Sequence, residues 1–143
     1  RFSGEEERER GFRTALSREA PQLQAATISE GFGVDRTTGA LVRAALADHP
    51  DIRAVYSIGG GNRAILKAFA EEKRRIDVIA AHDLDSDNRT LLSEGKLTFV
   101  IHHDLRQDAR SACQMMMVHH RMLPQDFSIA PSRVAIATPY EGV

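Results

Sequence analysis

The sequence has no tryptophan, two tyrosines and a single cysteine, Cys113, in 143 residues. One cysteine excludes an internal disulfide, so cysteine usage says nothing about redox compartment. No apolar run approaches the length of a membrane-spanning helix. The chain opens on a charged stretch, Arg1 to Arg13, which does not have the pattern of a signal peptide. An excess of either charge is also missing: 19 Lys and Arg face 20 Asp and Glu, a net charge of −1. A general nucleic-acid surface needs clustered basic excess, so this balance argues against one. There is no G-x-S-x-G elbow, no Gly-Lys-Ser/Thr after a glycine loop, and no Ser-His-Asp or Cys-His arrangement at local spacing. No internal repeat and no low-complexity tract is visible.

What remains is an ordinary globular composition, 42% hydrophobic and 27% charged, in a chain long enough for one well-buried domain. The first residue is Arg rather than Met, and the expectation is a piece of a longer protein. The missing leader then carries no information about where the whole protein works.

Strand and helix patterns alternate. Ser3 and Gly4 can cap a helix over Glu5 to Arg18, with acids in its first turn where the dipole favours them. Leu23 to Ser29 reads as a strand. Val34 to Ala47 reads as a helix with Val34, Leu41, Val42, Ala45 and Leu46 on one face. After a turn at His49-Pro50-Asp51 come a strand (Ala54 to Ile58) and a helix (Asn62 to Glu72). Asp77 to Ala81 suits a buried parallel strand. Asp87 to Glu94 reads as a short helix, capped by Ser86 or Asp87 and stopped by Gly95. Leu97 to Ile101, Leu105 to His120 and Arg133 to Ala137 read as strand, long helix and strand. Pro124 to Ser132 is a turn-rich connector. This alternation predicts an α/β fold: a doubly wound, mostly parallel sheet with helices on both faces. Cys113 and Met115 to Met117 read as core packing on the long helix.

The most informative stretch is AVYSIGGGNRAILKAF, residues 54 to 69. A β-prone run meets three glycines, and a helical pattern begins at once. In an open α/β sheet, ligands bind at such carboxyl ends of strands. Gly59, Gly61 and Ala64 fit G-x-G-x-x-A, and Asp83 follows at the end of the next strand, roughly twenty residues on, as the dinucleotide fingerprint asks. Two βα steps precede the turn, however, whereas the fingerprint normally opens its domain. A tight turn without a ligand is the plainer alternative. Asp83 is a candidate acceptor for ligand hydroxyls, against a solvated carboxylate beside a helix cap. His103 ends the following strand and is a candidate ligand contact, against a turn histidine. His102 and His103 point to opposite faces, as neighbours on a strand do, so no shared metal is expected. Arg8 lies in a charge run that would ordinarily be a solvated face.

Three successive strand ends carrying Gly61-Asn62, Asp83 and His103, with an opening R-x-x-G-F at Arg8 to Phe12, resemble the sugar-sensing domain of LacI-type transcriptional regulators. They also resemble the related type I periplasmic sugar-binding proteins. The likeness covers nearly the whole chain, but only the second lobe of a two-lobed domain. It implies that residues 1–143 form a single α/β lobe. Arg8 would bind ligand hydroxyls or a carboxylate, Gly61 or Asn62 would hydrogen-bond the ligand, Asp83 would take two sugar hydroxyls, and His103 would stand where Gln is usual. The resemblance further implies a sugar or polyol effector, a homodimer, DNA contact only through a missing N-terminal domain, a cytoplasmic location, no membrane partner, no cofactor and no catalysis. The alternatives are a periplasmic receptor of a sugar transporter, or a nucleotide-dependent enzyme using the Gly59 to Ala64 turn.

Overall fold

The computed structural model describes residues 3–28 and 35–140. Among the described residues nine elements follow in order: α1 (Ser3–Glu19), α2 (Asp35–Asp48), β1 (Ala54–Ser57), α3 (Asn62–Glu71), β2 (Val78–His82), α4 (Ser86–Ser93), β3 (Phe99–His103), α5 (Leu105–His119) and β4 (Val134–Ala137). The side chains of Ser3 and Asp35 and all of residues 29–34 lie outside the described set, and with them the expected roles of Ser3, Ser29 and Val34.

The four strands lie in the order β1-β2-β3-β4. β1, β2 and β3 run parallel, and β4 returns antiparallel to β3. The expected α/β, mostly parallel sheet is therefore the observed one. Register explains its two faces. Val55, Ile79, Ala81, Val100 and Ala137 align across the strands. They meet Val42 and Leu46 of α2, Ile65, Ala68 and Phe69 of α3, and Leu91 and Leu92 of α4 in one hydrophobic core. The opposite face carries Tyr56, His82, Ile101, His103, Ile136 and Val134, the alternate residues of the same strands. Phe12 of α1 covers it at Tyr56, with ring centroids 4.6 Å apart.

Three local expectations need correction. Residues 23–28 do not form a strand. Side chains of α1 hold this segment instead: Arg13 Nη1 donates to the Ala25 carbonyl at 3.2 Å, and the Thr27 hydroxyl donates to Glu9 Oε1 at 2.7 Å. The α4 cap is Asp85, whose carboxylate accepts from the Asn88 N–H, so the helix starts one residue before the predicted position. Gly95 does stop α4: at φ +66, it donates to the Leu92 carbonyl while Lys96 donates to Leu91, which closes the last turn. Finally, Cys113, Met115 and Met116 are exposed rather than packed in the core. Ser111 is the buried residue of α5 and donates to the Ala130 carbonyl, while Met117 is half-buried and so only partly meets the expected core role.

Candidate functional site

The carboxyl ends of β1, β2 and β3 bring the sequence-predicted residues to one end of the sheet. After β1 the chain turns through Gly59 to Gly61 into α3. Gly61 has φ +85, and a Cβ there would lie 3.0 Å from the Thr38 hydroxyl of α2. Glycine is thus required twice, by the backbone angle and by the close approach of α2. The neighbour that this missing side chain admits is Thr38 of the chain itself. α4 and α5 begin under the capping carboxylates of Asp85 and Asp104. α3 begins at Gly61 with no side-chain cap, which leaves the positive end of its dipole without a side-chain acceptor.

Asn62, the first residue of α3, is buried. Its Nδ2 donates to Asn88 Oδ1 at 2.8 Å, and its Oδ1 is buried without a hydrogen-bond partner. Its amide nitrogen is thus engaged with α4, and the residue lines the open cavity at this end of the sheet with its Oδ1 unpartnered. Asp83 follows β2 at φ +65 and keeps its side chain more than half exposed. Its N–H donates to the Ile101 carbonyl at 2.9 Å, which ties the turn to β3. Arg8 reaches this end of the sheet from α1. Its Nη1 lies 3.8 Å from Asp83 Oδ2 and donates to the Ile58 carbonyl at 3.3 Å. So Arg8, Asp83 and the glycine turn do converge, and the charge run on α1 is not merely a solvated face. His103 pairs through Nδ1 with Asp108 of α5. Hydrogen bonds from Ser132 and His103 hold the Asp108 carboxyl below the usual carboxylate range.

Sequence reasoning missed two partners. Tyr56 meets His82 Nε2 with its hydroxyl at 2.6 Å. Burial, reinforced by the charge of Arg8, lowers the His82 pKa, so the imidazole is neutral near pH 7. Burial raises the Tyr56 phenol. The signal for this pair was available, since Tyr56 and His82 fall on the same strand face once β1 and β2 are set parallel. The second partner is Asn88, whose place three residues after the Asp85 cap is a capping spacing.

An open cavity of about 280 Å³ lies over these residues, lined by the glycine turn, Asn62, Arg63, His82, Asp83, Asp85, Asp87, Asn88 and Leu91. Arg63 bridges to Asp87 at 3.0 Å across its mouth. A larger, shallower concavity of about 460 Å³ lies between α1 and residues 21–25. Among the described residues, no group of three or more His, Cys, Asp or Glu could hold a metal ion. No described helix is long and apolar enough to cross a membrane.

The architecture is that of one lobe of a periplasmic-binding-protein-like fold. The sugar-binding protein of a sugar ABC transporter from Bacillus halodurans superposes with a TM-score of 0.75 at 20% identity, over 95% of this chain and 51% of that one. A glucose-galactose binding protein from Geobacillus stearothermophilus matches with a TM-score of 0.79 at 17% identity, over 94% and 48%. A candidate LacI transcriptional regulator from Bacteroides fragilis matches with a TM-score of 0.76 at 16% identity, over 94% and 46%. At these identities the likeness concerns the fold, and the chain spans about half the length of the proteins it matches. No family model matches the sequence, and no curated protein matches it significantly.

Proposed function

We propose that the chain is one wall of a cleft that binds a small sugar or related polyol, as the second effector-binding lobe of a LacI-type regulator. The observation that carries this reading is the exposed Asp83 carboxylate, steered by Arg8 and set beside the uncapped start of α3 in one cavity. A polyol hydroxyl both donates and accepts. Its O–H groups suit the carboxylate, and its oxygens suit the helix N-terminus and the Arg8 fork. The lobe performs no chemistry. A ligand held between it and a second lobe favours the closed arrangement, and closure alters a homodimer that reaches DNA through a segment outside this chain.

A periplasmic receptor of a sugar transporter is the second reading, favoured by the two transporter- and sugar-binding neighbours above. A helix-turn-helix preceding the two lobes identifies the regulator, and a signal peptide identifies the receptor. A nucleotide phosphate at the glycine turn is disfavoured, because Asp83, Asp85 and Asp87 line the same cavity as the turn.

The test is a thermal-shift screen of neutral sugars and polyols on the two-lobed parent, repeated with Asp83→Ala. A binding sugar raises the midpoint with the logarithm of its concentration over Kd once that ratio exceeds one, and Asp83→Ala abolishes that rise. Stabilisation left unchanged by the substitution removes Asp83 from the site.

A further inference from the structure

Asn88 lies at the third position of α4 and is 4% exposed. Every polar atom of its side chain is engaged. Its Nδ2 donates to the carbonyl oxygens of both His82, at 2.9 Å, and Asp83, at 2.7 Å. Its Oδ1 accepts from Asn62 Nδ2 at 2.8 Å, and its own N–H donates to Asp85 Oδ1 at 2.7 Å. One residue therefore joins the end of β2, the start of α3 and the cap of α4.

The two carbonyls it holds belong to consecutive residues. In extended backbone, successive carbonyls alternate in direction, and a single NH₂ group could not reach both. They reach the same donor here at a left-handed residue, Asp83 at φ +65, a conformation that L side chains avoid. Asn88 thus rewards the left-handed arrangement in which the Asp83 side chain stands exposed. Only a carboxamide combines two donors and an acceptor on one planar group. A carboxylate keeps the acceptor for Asn62 and loses both donors.

We propose that Asn88 is the positioning residue for the Asp83 carboxylate. It clamps the left-handed turn through the two carbonyls, and through Asn62 it makes the setting of that turn depend on the start of α3. The proposal rests on the reading of Asp83 as the acceptor of ligand hydroxyls. It accounts for the Asn62 Nδ2 contact: that side chain braces Asn88.

The test is solution NMR of the chain. In the unsubstituted protein, both side-chain amide protons of Asn88 exchange slowly with water. The carbon shifts and one-bond Cα–Hα coupling of Asp83 have left-handed values. In Asn88→Asp the left-handed signature is lost, while the shifts of β3 stay in place. In Asn62→Ala, which removes only the brace, Asn88 amide exchange speeds up and the Asp83 signals shift toward those of Asn88→Asp. Left-handed Asp83 signals that persist unchanged in Asn88→Asp overturn the proposal. So does fast exchange of either Asn88 proton in the unsubstituted chain, a result that stands even if the variant does not fold. None of these readouts uses a sugar, so a failed sugar screen is a separate result.

Discussion

The Tyr56 hydroxyl lies 2.6 Å from His82 Nε2, two residues further along the same face of the neighbouring parallel strand. Phe12 stacks on the phenol from α1, and Arg8, Asp83 and His103 are the charged or titratable groups acting on the imidazole from α1 and the strand ends. The pair joins the aromatic cover of the sheet to the candidate site.

This burial sets a pH dependence. The folded His82 pKa lies below its unfolded value of about 6.5. Below about pH 6.5 the unfolded chain therefore binds a proton that the folded chain resists. Stability is constant with respect to this group above that pH, and it falls as the pH drops through 6.5 toward the folded value. Urea denaturation between pH 5 and 8 shows this fall, and His82→Gln flattens it. A profile that is the same in both proteins assigns the acid sensitivity to another group.

Tyr56→Phe removes the partner of a nitrogen on the buried His82 imidazole and costs about 1–3 kcal/mol. The stacking surface for Phe12 is retained, so packing is not the cause of the loss. Chemical denaturation at neutral pH measures it, and a loss under a few tenths of a kcal/mol contradicts the hydrogen bond.

The glycine turn tolerates change unevenly. Gly61→Ala forces an L side chain into the left-handed region and brings its Cβ within 3.0–3.3 Å of the Thr38 side chain. The strain alone costs about 1–2 kcal/mol. At Gly59 the nearest atom to a new Cβ is the end of the flexible Glu5 side chain at 3.4 Å. Gly59→Ala stays within about 0.5 kcal/mol of the parent. Equal effects at the two positions contradict the geometry.

Asp83 separates stability from binding. Asp83→Gly relieves the left-handed backbone that Asp83→Ala retains, so the glycine variant is the more stable of the two by about 1 kcal/mol. Both lack the carboxylate and lose sugar-induced stabilisation. Denaturation midpoints rank their stability, and thermal shift tests the ligand response.

The methionines of α5 report its exposed side. Met115 and Met116 are oxidised early by dilute peroxide, as is Met122 just beyond the helix, without loss of helicity, because all three are more than half exposed. Peptide mapping against circular dichroism checks this. Unfolding at the first sulfoxide supports the core role expected from sequence.

Most of the fold was legible because its signals are local. The apolar runs around Val55, Ile79 and Val100, the glycine punctuation at Gly61 and Gly95, and the alternation of strand and helix each act over a few residues. Residues 23–28 misled because β-prone composition does not supply a pairing neighbour. Met115 and Met116 misled because an apolar residue on a helix is buried only if another element covers that face.

By itself the sequence determined the α/β class, the order of elements from α2 onward and the three strand ends at which polar groups gather. These follow from periodicity, turn residues and the carboxyl-end rule for open sheets. Only the tertiary structure decided how those ends are used. Parallel register put Tyr56 beside His82. The packing of α1 brought Arg8 to Asp83, and the docking of α4 against α3 set Asn62 Nδ2 on Asn88. These contacts join residues some twenty-five to seventy-five positions apart, and no local pattern encodes them. They exist because burial against a common sheet leaves each buried polar group to find its partner across the fold.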